Sequence, residues 1–375
     1  MSEQITPPVL YETHATVSGQ HIGIATLNSE KSLNALSYAM VQSLSAQLAY
    51  WAKDDSIVAV WLQGAGEKAF CAGGDIRAMY ETAKAHPGEL TDAVEQFFTE
   101  EYRLDYQIHR FPKPFIVWGS GIVMGGGLGL MAGASHRLVT ETSRIAMPEI
   151  SIGLFPDVGA TYFLNRMPGH CGRFLGLTAY NMSGADACYV GLGDHLVASN
   201  QRQVLLEQLG LLPWSTNHSN NRQLVSNMFD GYANTAVNGQ LEQSQPLIDE
   251  LFGGASIGVL MADLAAYNTE LPWLQRALKT ALAGSPITAH LVWHQLQHGS
   301  NWCLEQVFQS ELVWAVRCAQ LGDFVEGVRA LLIDKDRNPQ WRYANVNEVN
   351  SALFKQIVTN PWQRHPLERI EESAL

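Results

Sequence analysis

A chain of 375 residues can bury one large core or two smaller ones, and its 46% hydrophobic and 16% charged residues are ordinary for a globular enzyme. The formal charge of −12 argues against a general nucleic-acid or anionic-membrane surface, so an anionic ligand needs a local basic patch. The five cysteines (Cys71, Cys171, Cys188, Cys303, Cys318) are odd in number and form no C-x-x-C pair, which favours reduced thiols over a disulfide framework or a zinc site. Residues 1–10 read as a loose leader without a basic-plus-apolar signal pattern or an Arg-rich presequence, and no apolar run reaches membrane-spanning length. The expectation is a soluble, cytoplasmic protein.

The first elements follow from periodicity. His21 to Leu27 reads as a strand, a helix runs from about Tyr38 to Trp51 with Ser37 as its cap, and the continuous apolar run Ile57 to Leu62 reads as a strand buried on both faces. After a turn-rich loop at Gly64 to Gly66 comes Phe70-Cys71-Ala72-Gly73-Gly74-Asp75-Ile76, where glycine backbone leads into a helix start that Asp75 caps. Residues 94–108 form an amphipathic helix whose apolar face (Val94, Phe97, Phe98, Leu104, Ile108) also carries Glu101 and Asp105. A carboxylate on a core-facing stripe needs either a partner or a task.

The compact apolar run Pro114 to Trp118 reads as a buried strand, and Met124-Gly125-Gly126-Gly127-Leu128-Gly129 then opens a small-residue helix. Such a start leaves N–H groups unpaired, uncrowded and at the positive end of the helix dipole, suited to an oxygen carrying negative charge. No Lys-Ser/Thr follows, so this is not a phosphate-binding P-loop, and the dinucleotide fingerprint fits poorly. The remaining choices are an oxyanion hole or glycines serving close helix–strand packing. The bend at Gly73-Gly74 supplies donors of the same kind, and two such bends converging on one point would complete an oxyanion hole. Further on, Ala146-Met147-Pro148-Glu149 and Phe155-Pro156-Asp157 each place an acid directly after an apolar residue and a proline. Prolines holding the chain extended would present Glu149 and Asp157 to a cleft; capping of the next segment is the alternative use of either acid.

Residues 168–198 hold short helices with glycine breaks, residues 213–250 turn polar and Asn-rich and read as a surface excursion or linker, and residues 251–375 are helical in pattern. That divides the chain into the leader, a core over 11–212, the excursion, and a helical C-terminal region. Ser285-Pro286 starts one helix, and another from about Cys303 to Leu321 ends at Gly322. Its apolar stripe carries Glu311, for which a structural ion pair is expected. The histidines show no metal-ligand spacing.

Taken together, Ala72 to Ile76, Met124 to Gly127 and Ala146 to Asp157 resemble the crotonase (enoyl-CoA hydratase/isomerase) superfamily. Phe97 to Leu104 (FFTEEYRL) and Asp323 to Trp341 (DFVEGVRALLIDKDRNPQW) resemble its branch of 3-hydroxyacyl-CoA hydrolases, and the likeness runs from about residue 18 to 345. The resemblance implies an α/β fold, a crotonase-like spiral of ββα turns followed by a helical C-terminal region, and an acyl-CoA thioester as substrate with no cofactor or metal. It assigns the oxyanion-binding amides to Gly74 and Gly126, catalysis to Glu149 and Asp157, and acyl positioning to Glu101. Lys31, Arg77 and Lys335 are candidates for the CoA phosphates. A homo-oligomer is also implied.

Hydratases of this superfamily carry a second glutamate three residues after the middle glycine, a position held here by Gly129, and usually a small residue where this chain has Asp157. Both departures favour hydrolysis of a short branched 3-hydroxyacyl-CoA, with 3-hydroxyisobutyryl-CoA of valine degradation as the expected substrate. Hydration or isomerisation of an enoyl-CoA, and acyl-CoA binding without catalysis, are the rival readings. Glu149 would serve as general base or as nucleophile, and crowding of three acids would raise at least one pKa by mutual repulsion.

Overall fold

A computed structural model describes residues 7–234 and 236–373. Among these residues nine strands form two sheets: β1 (Val9–Ala15), β2 (His21–Leu27), β3 (Ile57–Gly64), β4 (Ala69–Cys71), β5 (Phe115–Gly119), β6 (Ile122–Met124), β7 (His136–Thr140), β8 (Arg144–Ala146) and β9 (His195–Val197). The larger sheet has the order β1-β2-β3-β5-β7-β9 and the smaller β4-β6-β8. Only β1 is antiparallel to its neighbour; from β2 onward the pairs are parallel. Each turn of chain lays one strand in the large sheet and the next in the small sheet, then moves on, which is the expected ββα spiral.

Apolar patterning explains these elements. The run Ile57 to Leu62 is buried throughout because helices cover both faces of its sheet. On one face lies α1 (Tyr38–Lys53), capped by Ser37 Oγ, which accepts from Met40 N at 3.2 Å; its Met40, Leu44, Leu48 and Trp51 turn inward. Beside it runs α3 (Asp92–His109), reached through α2 (Ile76–Ala85). Buried Lys113 ties this layer together, its Nζ donating at 2.6 Å to the carbonyls of Trp51 and Asp54 at the end of α1.

The opposite face of the large sheet corrects the reading of residues 213–250 as an excursion or linker. That stretch holds helices His218–Asp230 and Gln240–Leu251, and Trp214, Val225 and Phe229 pack with Leu205 and Leu209 over Ile22, Ile24, Trp61, Trp118 and Leu138. Its composition hides the role because Val225 and Phe229, one turn apart, are the fully buried apolar residues that this helix turns to the sheet, helped by Met228 and by Arg222 O and Ser226 Oγ against His136 of β7, while Asn, Gln and Ser make up much of the rest. The leader also shortens. Residues 1–6 lie outside the described part, whereas Val9 and Leu10 already belong to β1, which pairs along its length with β2.

After residue 250 the chain is helical, with Ile257–Ala266, Pro272–Ala283, Pro286–His298, Leu304–Leu321 and Ser351–Ile357 as its main helices. Ser285 caps the third through Thr288 N, as its Ser-Pro start predicts. Gly322 does close the Leu304–Leu321 helix, but in an extended conformation rather than a left-handed one; a Cβ there would come within 2.9 Å of the Cys318 carbonyl.

Candidate active site

The small sheet delivers the site. Beyond β4 the chain bends at Gly73, whose φ of +107° favours glycine, and the bend is pinned to Leu36 through Gly73 O and Asp75 N at 2.7 and 2.9 Å. That bridge leaves the intervening Gly74 N–H to the cavity. Asp75 caps α2, its Oδ1 accepting from Ala78 N at 3.5 Å. Beyond β6, Gly125 (φ +48°, ψ −124°) leads into α4 (Gly126–Ala132), whose first amides have no partner within the helix. The two bends face each other: a Cβ built on Gly126 would lie 3.4 Å from Gly74 N and only 2.2 Å from Glu101 Oε1. One on Gly125 would lie 3.0 Å from Glu149 Oε1. The glycines are required because carboxyl groups occupy the space any side chain would take.

The acids reach this point from three directions. Glu101 and Asp105 stand one turn apart on α3 and pack against the glycine face of α4, where a Cβ on Gly129 would meet Asp105 Oδ2 at 2.8 Å. Glu149 follows β8. Pro148 before it is not extended (φ −85°, ψ 10°) but starts the 3-10 turn Glu149–Ile152, so Glu149 is presented by a turn and not by a straight run. Asp157 closes the next loop, and the Tyr102 hydroxyl donates to its Oδ2 at 2.6 Å. Glu101, Glu149, Asp157, Gly74 and Gly126 all line one cavity of about 280 Å³, walled by Met79, Phe97, Phe98, Leu154, Leu331 and Leu332.

This cavity is an apolar enclosure for acids. Burial, and then the charge of Asp157, lift Glu101 and Glu149 well above the usual carboxylate range. Asp105 is lifted too, first by burial and then by Glu101 and Asp157. Desolvation therefore outweighs the mutual repulsion foreseen from sequence. Asp157 rises only to about 6, because the Tyr102 hydrogen bond opposes the effect of burial. It is the acid best held as a carboxylate near neutral pH. Glu149 Oε2, Glu101 Oε1 and both Asp105 oxygens accept no hydrogen bond from the described residues, which leaves Glu149 and Glu101 polar capacity for a bound molecule.

A wider groove of about 950 Å³ adjoins this cavity and shares Ala72, Gly74, Ile76 and Leu332 with it. Lys31 and Arg77 line the groove and are exposed, and Arg77 Nη2 donates to Leu332 O at 3.0 Å. Lys335 lines neither space and sits on the exposed loop just beyond. That loop is fastened by Arg329, which holds Glu326, Asp334 and Asp336 at 2.7–2.9 Å and so steadies the π-helical turn Arg329–Ile333 whose Leu331 and Leu332 roof the cavity.

Glu311 corrects another expectation. It has no cationic partner among the described residues; its two carboxyl oxygens accept from Gly159 N at 2.7 Å and Thr161 N at 2.8 Å, and burial pushes it up to about 8. Sequence reading also passed over Tyr102, Leu331 and Leu332. Tyr102 carries no signal beyond its place next to Glu101, and the leucines are recognisable only as part of the Asp323–Trp341 motif.

A ββα spiral with two opposed glycine bends above buried acids defines a class, and a family profile described as enoyl-CoA hydratase/isomerase matches residues 22–358. The chain belongs to that family, the crotonase superfamily. Among its relatives, the mitochondrial 3-hydroxyisobutyryl-CoA hydrolase of Danio rerio is 39% identical over 339 residues, covering 90% of this chain and 87% of that protein. The Homo sapiens protein of the same name is 36% identical over 332 residues, covering 87% and 83%. Of solved structures, an enoyl-CoA hydratase from Rhodobacter sphaeroides 2.4.1 superposes with a TM-score of 0.80 at 34% identity, covering 93% of this chain and 96% of that one. A carnitinyl-CoA dehydratase from Mycobacterium thermoresistibile gives 0.83 at 33%, covering 96% and 98%.

Proposed function

We propose that this protein hydrolyses short branched 3-hydroxyacyl-CoA thioesters, 3-hydroxyisobutyryl-CoA above all, to the free hydroxy acid and CoA, a step of valine degradation. The observation that carries this reading is the convergence of Gly74, Gly126, Glu149 and Asp157 on one small cavity, where position 129 contributes no carboxylate. Relatives bearing the hydrolase name over nine-tenths of the chain support it.

The thioester oxygen takes the two glycine amides, which stabilise the negative charge it gains on attack. Oxygen adds to the carbonyl carbon, the C–S bond breaks, and CoA leaves as thiolate. Glu149 either removes a proton from the attacking water or attacks itself, forming a mixed anhydride that water then opens. A single turnover in ¹⁸O-labelled water tests the second route: label in Glu149 requires an anhydride that water opens at the Glu149 carbonyl, which the general-base route cannot produce. Asp157, fixed by Tyr102, accepts a hydrogen bond from the substrate 3-hydroxyl, and Glu101 packs against the acyl group. Lys31 and Arg77 in the adjoining groove offer charge to the CoA phosphates, whereas Lys335 lies outside both spaces. The reaction as drawn uses water, substrate and protein groups.

The solved structures named as hydratase and dehydratase make addition of water to an enoyl-CoA the competing reading. Free-thiol release measured over 3-hydroxyisobutyryl-, 3-hydroxypropionyl- and crotonyl-CoA decides between them. Hydrolysis predicts stoichiometric thiol from the hydroxyacyl substrates; loss of enoyl absorbance without thiol would replace the proposal. The free cysteines fit a cytoplasmic setting, which cell fractionation tests.

A further inference from the structure

We propose that Glu311 is the positioning residue for Asp157, and that through it the C-terminal region aims an acid of the spiral core into the cavity. This deepens the hydrolase reading, in which Asp157 receives the substrate hydroxyl. The turn after Asp157 is an unfavourable one. Val158 is β-branched yet adopts φ +55°, a left-handed conformation such residues strongly avoid, and Gly159 follows at φ +89°. Strain of this kind persists only where the surroundings over-determine it.

Glu311 supplies that determination. It is fully buried on the helix Leu304–Leu321, and its two oxygens take the N–H groups of Gly159 and Thr161, immediately after the strained residue. Nearby contacts act in concert. Gln295 donates to Pro156 O at 3.1 Å on the other side of Asp157, and a Cβ on Gly159 would lie 3.3 Å from Phe308, one turn before Glu311. Val158 itself fits against Gly129, where any side chain would come within 2.6 Å of its Cβ. The loop is thus gripped on both sides of Asp157 by C-terminal side chains, and Tyr102 is left to orient the carboxyl itself.

Replacement by glutamine keeps size and one acceptor but turns an amide NH₂ towards a backbone N–H, so one of the two bonds is lost. The test compares Glu311→Gln and Asp157→Asn with the unmodified protein on 3-hydroxyisobutyryl-CoA and on isobutyryl-CoA, which lacks the hydroxyl. Glu311→Gln should lose the preference for the hydroxylated substrate by at least about tenfold, as Asp157→Asn does, through kcat/KM for that substrate. A crystal structure of Glu311→Gln should show Val158 relaxed to negative φ and the Tyr102–Asp157 contact broken. Adding Val158→Gly, which tolerates the turn without strain, should restore part of the preference and the fold if the single variant is unstable. An unchanged 157–161 turn in the variant crystal, or a double variant no better than the single one, overturns the proposal. Should Asp157→Asn keep the substrate preference while the variant turn is rebuilt, the hydroxyl-binding role fails and the clamp stands.

Discussion

The cavity and the groove that adjoins it share a wall but work by opposite physics. The cavity gathers Glu101, Glu149 and Asp157 out of water, with Asp105 buried behind them, without a cation among the residues that shift them, and each is raised above its ordinary pKa. The groove offers exposed Lys31 and Arg77, whose charges are screened by solvent. Bond-making needs groups whose protonation is tuned by burial, whereas holding a polyanionic handle needs only charge within reach. A small change in the cavity should therefore cost far more than a large one in the groove.

The sharpest trial is Glu149→Gln, expected to lower kcat on the order of 100- to 10,000-fold in a thiol-release assay. Gly126→Ala follows at about 100- to 1000-fold, because its methyl group would displace Glu101 Oε1 from a position 2.2 Å away and obstruct the oxyanion amide. Next comes pH. With Asp157 at about 6, kcat/KM for the hydroxylated substrate should fall as pH drops below that value. Tyr102→Phe removes the hydrogen bond that lowers this pKa, so the acid limb should move upward. The same groups act on stability with the opposite sign: Asp157 at about 6 and Glu311 at about 8 bind protons more tightly folded than unfolded. Their contribution is complete below the unfolded carboxylate range near pH 4 and disappears as pH climbs to about 8, so the thermal midpoint should decline across that interval. Least affected should be Arg77→Ala, with KM raised a few-fold, roughly 1 kcal/mol or less, and the difference shrinking at high salt. A groove variant as damaging as Glu149→Gln would break the contrast.

Both glycine bends and the acids 101, 149 and 157 were legible in the sequence because each needs a residue type that its local surroundings do not otherwise call for. Glycines where helices begin and carboxylates on an apolar stripe are local anomalies. Glu311 was visible as such an anomaly too, but its partners are amides 150 and 152 residues away, and nothing in a helical stripe distinguishes an amide acceptor from half of an ion pair. Residues 213–250 failed for a different reason: a helix that covers a sheet with one narrow edge needs little apolar content, so tertiary packing and not composition determines that it is there. The roof over the cavity, Leu331 and Leu332, rests on a π-helical turn steadied by the local grip of Arg329 on three acids within seven residues of it, and shows no periodic signature of its own.

The three short parallel strands β4, β6 and β8 act as a ruler. Each ends in its own contribution, the Gly74 bend, the Gly126 bend and the Glu149 turn, and neighbouring strands stand about 4.8 Å apart. Segments some fifty and twenty residues apart along the chain are thereby brought to the spacing of a single thioester group. The ruler fixes the backbone places through strand register, and the closeness of its marks is why the occupants are constrained as well: a Cβ at Gly125 would already lie 3.0 Å from Glu149 Oε1. A deletion inside β6 would slide one mark along the scale and misalign the set, while a change of length in the exposed turn near Gly88 would leave every graduation where it was.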